Sequence, residues 1–285
     1  MSTLLSPIDP GVRLWLPPPA LAGCVRAAFL FDGRSVTLPT VTYYPATPLV
    51  SLTVMFAGGM AYQPLPDAVL NIPLDLPRRM LGGPFTAPSS WRGAGMVHGM
   101  QILFHPDALQ TLVGWSPDRG VNSICDADRY LPSTWRACLD ALAGEADDDR
   151  RLHRVVDFLA PQWRSANDRR PAAARYGAWL ELIALRAATT QVGRSLRQME
   201  RRVKFWAGVP VRELRAIARA EAAFFATREA QSAGGVRWSA IATDTGYADQ
   251  AHFCRETRRM TGFSPTELER LIATDPGFWA YRLWM

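Results

Sequence analysis

A chain of 285 residues is long enough for two separate cores, since domains usually hold about 100–200 residues. With 48% apolar and 20% charged residues it reads as a folded chain, and no window approaches the ~20 apolar residues of a membrane span. The net charge of +6 is uneven: residues 1–168 carry 13 Arg against 15 acids, residues 169–285 carry 19 Arg or Lys against 11 acids, and this points to a polyanion as partner of the C-terminal part.

The opening stretch, MSTLLSPIDPGVRLWLPPP, breaks its apolar residues with Pro7, Asp9, Pro10 and Arg13, so it lacks the apolar core of a secretory signal and a cytoplasmic location is expected. Cys24, Cys125, Cys138 and Cys254 are scattered with no pair at metal-ligand or redox spacing, so they read as reduced, mostly buried thiols without zinc or a disulfide. Residues ~20–110 are punctuated by proline and glycine and hold β-prone runs such as LVSLTVMF at 49–56 and GMVHGMQILF at 95–104, which predict a mainly β region. Its aromatics Tyr43, Tyr44, Phe56, Phe85 and Trp91 suit a plain β core, the preferred reading, or the lining of a small-molecule pocket. His98 and His105, seven apart, define no metal site and read as structural.

From Pro106 the pattern PDALQTLVGW predicts a short helix with Leu109, Leu112 and Val113 on one face. Asp147 to Asp149, in the acidic run GEADDDRR, read as a solvated loop; RLHRVVDFLAPQW at 151–163 has helical spacing, and SANDRRP at 165–171 reads as an exposed linker. We place a domain boundary there, between 1–168 and 169–285. No nucleophile elbow, phosphate loop or paired metal motif occurs in residues 1–168, so neither a catalytic residue nor a cofactor is expected.

Beyond 172 every long segment is helix-prone, and VRELRAIARAEAAFFATREAQ runs for roughly 20 residues before Gly234-Gly235 stops it. This part also repeats itself. With a shift of 54 residues, Met199 falls on Phe253, Arg201 on Arg255, Gly208 on Gly262, Glu213 on Glu267 and Leu214 on Leu268. Each copy predicts a helix, a tight turn at Gly193 or Gly246, a second helix, a glycine stop and a further helix. In the first copy Leu196, Met199 and Val203 predict a buried stripe that leaves Arg197, Gln198, Glu200, Arg201 and Lys204 outside or flanking it. Ser195 suits an N-cap, and Asp249 can serve in the second copy where Ala248 cannot.

The repeat, and above all IATDTGYADQAHFCRETRRMTGFSP at 241–265, resembles the paired helix-turn-helix DNA-binding domain of AraC/XylS-type transcription regulators, over about residues 172–270. LGGPFTAPSS at 81–90 and MQILFHPDALQTLVG at 100–114 resemble the N-terminal domain of a subgroup whose ligand is generally unassigned. Two positions depart from the pattern: Thr257 where that family usually has a core Phe, and Ala248 where it usually has Ser, which implies a less rigid or more weakly bound second unit. The resemblance implies an α+β protein: an N-terminal mainly β, sensor-like domain and an all-α domain with two helix-turn-helix units joined by a long helix. It implies base contacts from Arg197, Glu200 and Arg201 in the first unit and from Gln250, Ala251, Cys254 and Arg255 in the second. Arg202, Lys204, His252, Arg258 and Arg259 are then assigned to phosphates. The connecting helix from Val211 to Gln231 would span ~30 Å, near the ~34 Å between successive major-groove faces. Double-stranded DNA is the expected partner; a small-molecule effector, RNA polymerase and a second copy of the chain are further candidates. Redox sensing by Cys254 is not favoured, because nothing nearby identifies a resolving thiol. The alternative to DNA reading is a regulator that acts through protein contacts with weakened DNA binding, for which Thr257 is the only hint.

Overall fold

The computed structural model describes residues 6–9 (backbone), 11–34, 36–166, 175–189 and 195–283. Among them eight strands form one antiparallel sheet: β1 Ser6–Asp9, β2 Val12–Trp15, β3 Val25–Asp32, β4 Val41–Tyr44, β5 Val50–Gln63, β6 Arg79–Gly82, β7 Ser89–Phe104 and β8 Ile124–Asp126, in the order β1-β2-β3-β7-β5-β6-β8. The 16-residue β7 organises the sheet: residues 98–104 pair with β3 and residues 89–92 with β4, while β5 follows β7 through two register shifts around Ala57. Such bulges bend a strand and let a single sheet curl. The β-prone runs at 49–56 and 95–104 are therefore its two long central strands.

Side chains alternate across these strands and separate two interiors. Val50, Leu52 and Val54 of β5, with Met100, Ile102 and Phe104 of β7, pack into a core beneath α1 Pro106–Val113, α2 Ser133–Gly144 and α3 Asp148–Ala166. The alternate residues Phe29, Phe31, Met55 and Leu103 face the other way, into a second core that includes Ile217, Met260, Phe278 and Trp279 from the C-terminal half. The all-α reading of that half holds: α4 Tyr176–Thr189, α5 Leu196–Ala207, α6 Val211–Ser232, α7 Trp238–Asp244, α8 Gln250–Thr261, α9 Pro265–Thr274 and α10 Trp279–Leu283. Most of the expected linker, residues 167–171, and the turn glycine Gly193 lie outside the described residues.

The acidic run departs from the solvated-loop expectation at two residues, since Asp148 and the half-buried Asp149 form the first turn of a helix. Asp148 begins α3, where a carboxylate suits the positive end of the helix, and it is buried. Arg13 reaches it across the sheet at 2.5 Å, His98 Nε2 donates to it at 3.1 Å, and Arg151 closes the network from one turn along α3. Neither a run of acids nor the spacing of the histidines announces partners 135 and 50 residues away. Asp32, His98 and Asp148 converge, yet Arg34 holds Asp32 at 2.9 Å while Arg13 and Arg151 hold Asp148, so guanidinium groups supply the positive charge at this cluster. Burial pulls the His98 imidazole below its ordinary range, in line with a neutral structural histidine.

Candidate nucleic-acid interface

The two repeat units close in the same way. Helices α5 and α8 each have 12 residues; Ser195 accepts from Gln198 N–H at 3.4 Å, and Asp249 accepts from His252 N–H at 2.6 Å. Both end on a glycine in the left-handed region, Gly208 at φ 79° and Gly262 at φ 86°, whose N–H returns to Lys204 O or Arg258 O. The α7–α8 turn passes through Gly246 at φ 78°, the conformation for which a glycine was expected there. Tyr247, next in the turn, packs edge-on against Phe253 at 5.3 Å beneath the Arg219 guanidinium, and burial pushes its hydroxyl up to about 12.

The inner faces carry apolar side chains. Val203 and Ala207 of α5 pack with Trp179, Ile183 and Leu214; Phe253 of α8 packs with Ala223, Ile241 and Tyr247, and Met260 reaches the inter-domain core. The opposite faces carry Arg197, Glu200, Arg201 and Lys204 on α5 and Gln250, Ala251, Arg255 and Arg258 on α8, all exposed. Arg202, His252 and Cys254 flank these faces half-buried: Arg202 donates to Ala187 O, and His252 Nδ1 accepts from Ala248 N–H. Arg259, though exposed, is tied to Glu213 of α6 at 2.7 Å and to Glu256 at 3.1 Å, so it braces α8 against the connecting helix.

Leu196 corrects the expected buried stripe. It stands 79% exposed at the first position of α5, two turns from Val203 and outside the apolar cluster. The repeat itself carried the signal, because a shift of 54 places Leu196 on Gln250, an outward residue, whereas the i, i+3, i+7 rule considers only angle and not where the packing partner ends. Phe205, 59% exposed, is a second apolar side chain outside the α5 core that periodicity did not single out.

Residues 188–270 match the family model described as a helix-turn-helix domain. This segment is a helix-turn-helix domain. Among solved structures, the chain is similar to ToxT from Vibrio cholerae O395 at 11% identity, covering 93% of this chain and 100% of that one with a TM-score of 0.36. It is similar to unsaturated fatty acid bound ToxT from Vibrio cholerae strain SCE256 at 11% identity over 86% and 94% of the two chains, TM-score 0.36. The AraC-like transcriptional activator CuxR gives 11% identity over 96% and 90%, TM-score 0.28. No curated protein matches the chain. Among the described residues no helix is long and apolar enough to cross a membrane.

The helix-turn-helix domain is fastened to the sheet at both units. On the first, Asp107 of α1 accepts from Trp179 Nε1 at 3.2 Å and pairs with Arg186 at 3.3 Å, while His105 stacks on the Trp179 ring. On the second, Ala46 N–H donates to Met260 O at 2.8 Å, and the segment after α9 folds back over the sheet. There Trp279 meets Phe29 at 4.8 Å and Tyr44 at 5.4 Å, both edge-on, and Phe278 stacks on Tyr43 at 4.6 Å. Beneath this segment lies a cavity of about 80 Å³ lined by Phe31, Ser51, Thr53, Gln101 and Leu103 and roofed by Ala280. Gln101 Oε1 is buried there with no hydrogen-bond partner among the described residues. Of the aromatics singled out in the sequence, Tyr44, Phe85 and Trp91 line the cavity, whereas Tyr43 packs on Phe278 and Phe56 lies under the Arg151 guanidinium.

Proposed function

We propose that the chain is a sequence-specific transcription regulator in which α5 and α8 enter two successive major-groove segments on one side of a duplex. The observation that carries this reading is the matched pair of helices: equal length, the same cap and stop geometry, apolar inner faces, and exposed faces rich in Arg with Gln and Glu. An α-helix fits the major groove, where Arg can bond guanine O6 and N7 bidentately and Gln adenine N6 and N7. Arg197, Glu200, Arg201, Gln250, Ala251, Cys254 and Arg255 are assigned to base edges. Exposed Leu196 joins them as a contact to a thymine methyl. Arg202, Lys204, His252 and Arg258 are assigned to phosphates; Arg259 reaches a phosphate only by leaving Glu213 and Glu256. The 22 residues of α6 span about 33 Å at 1.5 Å per residue, close to the ~34 Å groove repeat.

The N-terminal sheet is then the input. Its cavity is smaller than the about 150 Å³ that accommodates benzene, so an effector of ordinary size displaces the roof at Ala280. That roof continues the chain of the second helix-turn-helix unit. Selection of bound fragments from genomic DNA with the purified chain tests the proposal. Enrichment of one motif with two half-sites about one helical turn apart is the expected result; binding without preference, or partner-protein binding with no protected DNA, refutes it.

A further inference from the structure

The second helix-turn-helix unit is not packed like the first. A shift of 54 residues places Thr257 on Val203 and Thr261 on Ala207, and the two α5 residues are fully enclosed by apolar neighbours. On α8 the two threonines instead border a cavity of about 250 Å³ between α6, α8 and α9, walled by Phe224, Trp238, Phe253, Leu268 and Ile272. This exceeds the about 150 Å³ apolar cavity that takes up benzene, and protein interiors seldom hold voids much larger than a water molecule.

The chemistry of the wall identifies the occupant. Water in such a space needs 2–4 polar partners. The hydroxyls of Thr227 and Thr261 already donate to Ala223 O and Thr257 O of their own helices, at 2.8 and 2.7 Å, which leaves the hydroxyl of Thr257 as the remaining threonine group on the wall. Trp238 and Phe253 lie nearly parallel, with centroids 5.9 Å apart and 28° between planes, and offer a flat aromatic wall. At the mouth Gln231 donates to Glu269 at 2.7 Å, and the two guanidinium groups beside it are already engaged by main-chain carbonyls, Arg228 on Arg282 O at 2.9 Å and Arg282 on Ile272 O and Asp275 O at 3.1 and 3.0 Å. A charged ligand would have to compete with those bonds at the rim and loses its hydration inside. We infer that this cavity binds a small neutral aromatic molecule of one or two rings, seated against Thr257 between α6 and α8. Occupancy would stiffen α8 from behind and leave its outer face untouched, so the site is an input separate from the cavity of the N-terminal sheet.

The test uses 5-fluoroindole with the full-length chain, followed by fluorine NMR and by amide hydrogen exchange. Saturable binding is expected, with exchange slowed in peptides from 211–232 and 238–261. Thr257→Phe, which fills the space, should weaken binding about tenfold or more without lowering the melting temperature, whereas Thr257→Val should retain it. Thr227→Leu blocks the cavity from the opposite wall and serves if Thr257→Phe does not fold; if neither folds, the exchange pattern of the unaltered chain decides. Absence of saturable binding up to the solubility of the probe overturns the inference. So does unchanged affinity in a folded blocking variant, or protection confined to the strands.

Discussion

Glu221 provides a test of how the two halves are joined. It lies in the middle of α6, 2% exposed, where Oε2 accepts from the Tyr176 N–H at 2.8 Å while Tyr176 Oη hydrogen-bonds Thr47 of the sheet at 3.0 Å. Oε1 is buried with no partner among the described residues. Burial, the largest influence, pushes the carboxyl from 4.5 up to about 7, against the opposing pull of the Tyr176 N–H, Arg26 and Arg175. The native state therefore holds a proton that the unfolded chain has released between pH 4.5 and about 7, and stability falls as pH rises through that window, levelling off above it. At ~1.4 kcal/mol per pH unit the gap amounts to about 3 kcal/mol. Glu221→Gln keeps the shape and the acceptor and removes the charge. Relative to the unaltered chain it should change little at pH 4.5 and be more stable at pH 8 by up to about 3 kcal/mol, less whatever the buried amide donors cost when unmet. Urea denaturation at a series of pH values gives the difference directly, and thermal melts should separate by about 2 °C per kcal/mol for a chain of this size. A difference that stays constant from pH 4.5 to 8 would refute the reasoning, because a purely steric effect of the amide has no pH dependence.

Three further outcomes follow from the geometry. Arg201→Ala and Arg255→Ala should each cost about 1–3 kcal/mol, roughly 5- to 150-fold, on a selected site and little on random DNA, whereas Lys204→Ala should weaken both and lower the salt slope by about one; fluorescence anisotropy at several salt concentrations separates the two behaviours. Trp279→Ala removes an aromatic packed on Phe29, Phe31 and Tyr44 and should cost about 3–5 kcal/mol in denaturant unfolding, with a loss below about 1 kcal/mol contradicting the claim that this segment holds the halves together. Asp148→Asn strands Arg151 and the approach of Arg13, so about 3–5 kcal/mol is expected, against less than about 0.5 kcal/mol for Asp149→Asn, whose side chain is 47% exposed.

What the sequence disclosed is local. The caps at Ser195 and Asp249, the stops at Gly208 and Gly262, and the turn at Gly246 follow from backbone preferences of single residues, and the outward face of α5 and α8 follows from a 3.6-residue period. What it withheld depends on chain separation. Asp148 becomes buried only because β2 and β7 bring Arg13 and His98 to the start of α3. The cavity beneath Ala280 requires the curl of the sheet and the return of a segment some 180 residues further along the chain than Leu103. Arg259 has the same composition-level signature as Arg258, and the fold separates them: Arg259 is held by Glu213 of α6 and by Glu256 at 2.7 and 3.1 Å, Arg258 only loosely by Glu267 at 3.7 Å.

The placement of the C-terminal segment bears on how a signal could pass. Phe263, in the turn that ends α8, touches both Tyr43 of β4 and Phe278, and Tyr281 Oη donates to Thr261 O, the last residue of α8. The helix assigned to base reading and the roof of the sheet cavity thus share one apolar cluster, two contacts apart, with a backbone hydrogen bond from Ala46 to Met260 alongside. Packed interiors transmit displacement poorly by bending and well by switching between discrete arrangements. A ligand larger than the space under Ala280 displaces that residue, whose neighbour Trp279 packs on Phe29, Phe31 and Tyr44, so on the proposed reading occupancy of the sheet and the present position of the end of α8 compete. The first unit is tied differently: Tyr176 at the start of α4 hydrogen-bonds Thr47 of the cavity wall at 3.0 Å, whereas α5 itself meets the N-terminal domain through Gln110 and the Pro117 turn, away from the cavity. An effector of the sheet should therefore act more strongly on the half-site read by α8, whose end packs directly in the roof cluster, than on the half-site read by α5, which is reached only through α4, and footprinting with each half-site scrambled in turn would resolve the two.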